Sequence, residues 1–148
     1  MPVSDRDNGY SRMLANIDAT GRLAITVGIQ AEEGAADDNG RSVAEIAETN
    51  EFGIGVPARP FVSGWADEKT DAVQIMRDDA AAALKAGSSP AQRLDQRAQV
   101  WAGEMQARIS AGIDPPNAPA TVAKKGSSTP LVDTGILRSS IRGKVVGK

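Results

Sequence analysis

The sequence predicts an α+β fold in which a small, mostly antiparallel sheet packs against two long helices, with extended polar loops between the elements. Three observations carry this expectation. Leu23, Ile25, Val27 and Ile29 alternate with Ala24, Thr26, Gly28 and Gln30, the period of a strand with one buried face. Val73, Met76, Ala80, Ala83 and Leu84, and again Leu94, Ala98, Trp101, Ala102, Met105 and Ile109, keep the three-and-four spacing of helices with one apolar stripe. The stretches between these elements are rich in Gly, Pro, Ser and Asp, which favour turns.

Taken along the chain, Tyr10, Met13, Leu14 and Ile17 share one face of a short helix, and Gly21 ends it. The strand from Leu23 to Gln30 follows. From Ala31 to Arg41 the chain is small and acidic, with Asn39-Gly40 as a turn signal, and reads as an exposed loop. Ser42 and Glu45 have the spacing of a capping box, in which each side chain satisfies a free N–H at a helix start; Val43, Ile46 and Ala47 then share a buried face. Gly53 can close that helix in the left-handed conformation, and the prolines of Val56-Pro57-Ala58-Arg59-Pro60-Phe61 keep the next segment extended. A helix restarts near Trp65 or Ala66, with Asp71, Asp78 and Lys85 opposite its apolar stripe. Ser89 as N-cap, Pro90 at the first helical position and Gln92 open the longest helix, and Gly112 with Pro115-Pro116 ends it. Residues 114–130 lack apolar periodicity and read as a flexible arm; a short helical turn near Asp133 and a strand from Ile141 to Val146 complete a single domain spanning 1–148. The two strands are expected to share one sheet, packed against the helices centred on Met76 and Trp101.

Composition narrows function. The chain has no Cys and no His, which removes disulfides, thiolate metal sites and the commonest general base; no catalytic residue, cofactor or metal is assigned. A net charge of −2 lacks the basic footprint of a protein that grips phosphate backbones. Charge is uneven, however. Residues 117–148 hold six bases and one acid, and the preceding 116 hold eleven bases and eighteen acids, so a basic end could attract an acidic body within or between chains. With 3% aromatic residues, 15 glycines and 8 prolines the core is thin, and burial against other subunits would complete it. No apolar run approaches the ~20 residues of a membrane span, and no leader pattern opens the chain, so a soluble protein made in the cytoplasm is expected.

Four motifs invite a sharper reading. Asp133-Thr134-Gly135 after Leu131-Val132 has the form of the aspartic-protease triplet, yet only thirteen residues follow Gly135 and the flap and barrel need more; Asp133 is expected to cap its short helix instead. Residues 35–40 fail as a calcium loop, with Ala35 at the first position and Ile46 at the twelfth. Gly53-Ile54-Gly55 lacks the third glycine of a dinucleotide loop, and Arg59-Pro60 stands where the helix should open. Trp65 and Trp101 suit core packing better than a stacking platform, because Trp101 lies on an apolar stripe.

Two segments, VAEIAETNEFGIGVPARPF at 43–61 and PATVAKKGSSTPLVDTGILRSSIRGKVV at 119–146, together resemble the tail-completion, or virion morphogenesis, family of Mu-like phages and the related neck proteins of lambda-like siphophages. The likeness lies in Glu-Phe-Gly ending a helix, the Pro-Ala-Arg-Pro-Phe turn, and a Leu-x-Asp-Thr-Gly-x-Leu-x-x-Ser-Ile segment before a last strand, in that order. The acidic loop before Ser42 and the spacing within Gly53-Ile54-Gly55-Val56 depart from it.

The resemblance implies a structural subunit and not an enzyme. It would form a ring with itself, expected to be a hexamer, at the head-tail junction of a virion, contacting the tail tube protein and the head-tail connector while genome DNA passes through unread. Glu51, Phe52, Arg59, Pro60, Phe61, Lys124, Lys125, Asp133, Arg138 and Arg142 are the structural and interface candidates. Arg59 is expected to pair with a carboxylate or carbonyl and Phe61 to anchor the extended segment. Lys124, Lys125, Arg138, Arg142 and Lys144 are expected to face acidic surface such as Glu32, Glu33, Asp37 and Asp38 of a neighbour. A head-side connector or stopper subunit, an aspartic protease using Asp133 and a small nucleic-acid adaptor are the alternatives.

Overall fold

A computed structural model describes residues 9–30, 40–125, 131 and 135–147, with the side chains of Tyr10, Lys124 and Lys125 outside the description. The chain runs α1 (Tyr10–Thr20), β1 (Leu23–Ile29), α2 (Val43–Phe52), α3 (Val62–Asp67), α4 (Ala72–Lys85), α5 (Pro90–Ala111), α6 (Pro119–Lys125), α7 (Ile136–Ser139) and β2 (Ile141–Gly147). The fold is α+β. β1 and β2 form one antiparallel two-stranded sheet, in register from Leu23 opposite Gly147 to Ile29 opposite Ile141.

α5 is the spine. Ser89 accepts a bond from the Gln92 N–H and Pro90 occupies the first turn, so the start is fixed locally; Gly112, at φ 89°, ends the helix. Leu94, Ala98, Trp101, Ala102, Met105 and Ile109 are buried along it, the stripe the spacing predicts. That stripe lies under the sheet, on the side of Ile29, Val27 and Ile141. Gly143 is what lets β2 come so near, because a Cβ there would overlap the Ala98 carbonyl. Gln99 and Gln106 of α5 then donate to the Gly143 and Ile141 carbonyls at 2.8 and 3.0 Å.

Three expectations need correction. Among the described residues the long helix under the sheet is α5, and α4 packs on the flank of α5 and against α1. The helix expected to run from Trp65 through Leu84 is two helices, α3 and α4. Neither Gly nor Pro marks the break, which is made by three-residue turn bonds from Glu68, Lys69 and Ala72 N–H to the carbonyls of Trp65, Ala66 and Lys69. Tertiary contacts hold that turn, with Glu68 on Arg108 at 2.5 Å and Lys69 on Glu104 at 2.6 Å. Over its described residues, 114–125, the arm is neither wholly extended nor free of the body: α6 forms within it, with Pro119 starting that helix where a missing N–H costs nothing, and Arg59 holds the Pro115 and Pro116 carbonyls. The apolar face of α1, on which the sequence made no demand of burial, stays accessible. Met13, Leu14 and Ile17 stay nearly half exposed.

The closeness of Gly143 to α5 makes a direct expectation. Gly143→Ala should destabilise the chain by about 2–3 kcal/mol through forced separation of sheet and helix. Gly103→Ala, at an exposed position of α5 with open space around it, should stabilise by about 1 kcal/mol. Urea unfolding of the two variants measures both, and equal midpoints would contradict the packing described.

Candidate functional site

The first segment of the resemblance folds into a buttressed corner between α2 and α3. The capping box starts α2 as its sequence predicts: the Ser42 hydroxyl accepts from the Glu45 N–H at 3.2 Å and the Glu45 carboxylate accepts from the Ser42 N–H at 2.7 Å. Gly53, at φ 72°, closes α2, and the returning chain passes so close that a Cβ on Gly53 would sit 2.9 Å from the Ala58 nitrogen. The Arg59 N–H then donates to the Asn50 carbonyl at 2.7 Å, so the loop of residues 54–58 is pinned at both ends.

Glu51 braces the corner from inside. α3 has no capping side chain of its own, and the Glu51 carboxylate supplies one from across the corner, accepting the Val62 and Ser63 N–H groups at 2.9 Å each and the Ser63 hydroxyl at 2.5 Å. Burial alone would raise the Glu51 pKa. The Ser63 hydroxyl and the amides of Val62, Ser63 and Phe61 outweigh it and hold the group below the ordinary glutamate value.

Arg59 and Phe61 both anchor the extended segment. Phe61 is fully buried with Val43, Ala47, Met105, Ile109, Leu131, Leu137 and Ile141, so both segments of the resemblance contribute to one core. Arg59, only 6% exposed, donates from Nε to the Pro115 carbonyl at 2.9 Å and from Nη2 to the Pro116 carbonyl at 3.4 Å, with Asn117 Oδ1 at 3.5 Å. The carbonyl partner expected for Arg59 is therefore the root of the arm itself. Pro60 is exposed at a cleft beside Arg108, Gly112 and Ile113.

What the corner presents outward is apolar. Phe52 is 72% exposed and Ile54 59%, with Val56 beside them. An open groove of about 320 Å³ adjoins Phe52, lined also by Ala47, Glu48, Glu51, Phe61, Val62 and Ser63. The remaining candidates lie elsewhere. Arg138 donates to the Ser110 hydroxyl at 3.1 Å, and Arg142 to the carbonyls of Ser139 and Ile141, both on the basic end of the chain. Lys124 and Lys125 close α6, and Asp133, with its expected capping role, lies outside the described residues, as do Glu32, Glu33, Asp37 and Asp38. Trp65 and Trp101 pack edge to face on each other, ring centroids 6.1 Å apart, as core residues do.

No known protein family, curated protein or solved structure matches this chain.

Sequence reasoning missed Asp79. It is 5% exposed, held by Arg97 Nε at 2.6 Å and Arg93 Nε at 2.9 Å, and these bonds, the Arg97 one first, overcome burial to lower its pKa. The signal was present: Asp79 falls between Met76 and Ala83 on the buried stripe of α4, and two arginines four apart on α5 can face it. Its task is to join two helices.

Because the folded pKa of Glu51 lies below its unfolded value, its contribution is present above the ordinary glutamate range and lost as pH falls through the folded value. Glu51→Gln keeps one acceptor oxygen and no charge, so it should cost about 1 kcal/mol at neutral pH and flatten the loss of stability between pH 5 and 3 (about the carboxylate range). Urea midpoints across that range decide, and parallel profiles for both proteins would contradict the assignment.

Proposed function

We propose that this chain is a structural subunit of a tailed-phage particle, assembling as a ring at the head-tail junction, where it completes the tail and joins it to the head connector. The observation that carries the reading is the corner at 50–63. The residues that carry the family likeness build one buttressed loop, and that loop displays Phe52, Ile54 and Val56 to solvent. Phe52 at the end of α2 and Ile54 and Val56 on the loop after it are exposed within five residues of chain, and apolar surface of this kind fits contact with another subunit. A head-to-tail ring needs two different complementary surfaces on each subunit. The half-exposed face of α1, with Met13, Leu14 and Ile17, offers a second apolar patch on a different element.

Energetics suits the same role. The bases of the C-terminal segment are individually weak contributors, about 0–1 kcal/mol per exposed pair, so they tune register while apolar contacts hold the ring. Glu51, Arg59 and Asp79 act inward on the chain's own fold, which favours a scaffold over a reactive centre.

The test is an image of purified particles with this subunit labelled, together with the double variant Phe52→Asp, Ile54→Asp. Both positions are exposed, so the free variant should melt within about 1 kcal/mol of the parent while particles made with it fail to join heads to tails. Label density away from the junction, normal joining with the variant, or acid-pH peptide cleavage abolished by Asp133→Asn would each contradict the proposal.

A further inference from the structure

The two edges of the sheet are treated differently. Gln30 Nε2 donates to the Gly28 carbonyl at 3.4 Å and the Arg142 carbonyl at 3.3 Å. Gly28 and Arg142 are directly opposed, so a single amide reaches both carbonyls only if both lie between the strands, as in a hydrogen-bonded pair; in the other kind of pair they point to opposite edges. Backbone groups of Ala24, Thr26 and Gly28 are thereby turned inward, and those of Leu23, Ile25, Val27 and Ile29 outward. On β2 the outward groups belong to Ile141, Gly143 and Val145. There the fold covers the edge, with Gln106 and Gln99 on the Ile141 and Gly143 carbonyls. On β1, no hydrogen bond among the described residues reaches the outward N–H or C=O of Ile25 or Val27. β1 itself carries neither proline nor charge, two of the usual protections of an edge.

The sequence of β1 says what fits there. Leu-Ala-Ile-Thr-Val-Gly-Ile has the same pattern of apolar and small residues from either end, centred on Thr26. Laid antiparallel against itself, it sets Ile25 opposite Val27, Leu23 opposite Ile29, Ala24 opposite Gly28 and Thr26 opposite Thr26. Apolar residues meet on the α5 side and small residues on the open side, no charge opposes another, and every outward backbone group faces a partner, giving about eight hydrogen bonds.

We propose that β1 pairs antiparallel with β1 of a second copy about a two-fold axis at Thr26, forming one continuous four-stranded sheet. This contact closes at two subunits, so it stands apart from a head-to-tail ring and does not rest on the neck reading. It gives the free chain a state in which its open edge is covered.

The chain has no cysteine, which makes a crosslink diagnostic. At the axis the Thr26 Cα atoms are about 4.5 Å apart, as in any pair that is not hydrogen-bonded, within disulfide reach. Thr26→Cys in the full-length chain should oxidise largely to a covalent dimer. Ala24→Cys, whose two copies lie roughly 13 Å apart, should not. Thr26→Glu lies opposite Lys144 within the chain and opposite its own copy across the axis, so sedimentation should show the fold intact and the dimer dissociation constant raised at least tenfold, less so in high salt. A parent chain monomeric at tens of micromolar, or a Thr26→Cys variant that oxidises no faster than the Ala24→Cys variant, overturns the proposal. A hexamer without the crosslink overturns it and leaves the neck reading standing; a crosslinked dimer in a chain absent from the head-tail junction upholds the pairing and removes the neck reading.

Discussion

The contact between Gly143 and Ala98 sets the geometry of everything else. A two-stranded sheet has too little surface to stand alone, so it must lie flat on a helix, and here the absence of one side chain brings strand and helix backbones together. Once β2 is seated, Ile141 and Leu137 are carried into the same core as Phe61 and Val43, residues far earlier in the chain. The two Gln side chains of α5 reach the β2 carbonyls only at that short range. With few aromatic residues and buried alanines at Ala80, Ala83, Ala98 and Ala102, the core gains cohesion from close approach more than from bulk.

Polar groups then fix what a thin core leaves loose. Glu51 ties α2 to α3, Asp79 ties α4 to α5, and Arg59 ties the extended segment to the root of the arm. Each joins separate elements through charged hydrogen bonds, which are stronger than neutral ones. The loop of residues 54–58 is tied separately, by backbone bonds from Ile54 to Thr49 and from Arg59 to Asn50, and its Ile54 and Val56 side chains nonetheless remain in water.

Legibility in the sequence follows the range of the interactions. β1, the capping box at Ser42, the closure at Gly53 and the whole of α5 are readable, because alternation, caps and helical spacing are local signals. The pairing of β1 with β2 follows from the shortage of other partners. Misread features depend on contacts a sequence does not display. The break between α3 and α4 carries no Gly or Pro and is held by Arg108 and Glu104 from another helix. α6 is hidden because Pro119 blends into the composition of a loop, although it stands at a helix start. Asp79 lies on the buried stripe of α4, but its partners are arginines of another helix, so the sequence shows its place and not its task. Of the candidate site, Arg59 and Phe61 have the roles their sequence suggests, while the cap supplied by Glu51 requires the three-dimensional corner.

An inward-braced scaffold with outward apolar surface predicts where the proposed assembly would act. Hydrogen exchange, compared between the free chain and the chain in purified particles, separates the two layers directly. Amides of α5 and β2 should exchange at nearly the same rate in both, since their protection is internal. Amides of residues 52–56 should slow at least tenfold in particles. Equal exchange at 52–56 in both states, with protection gained elsewhere or nowhere, would contradict the claim that this corner is the surface through which the protein works.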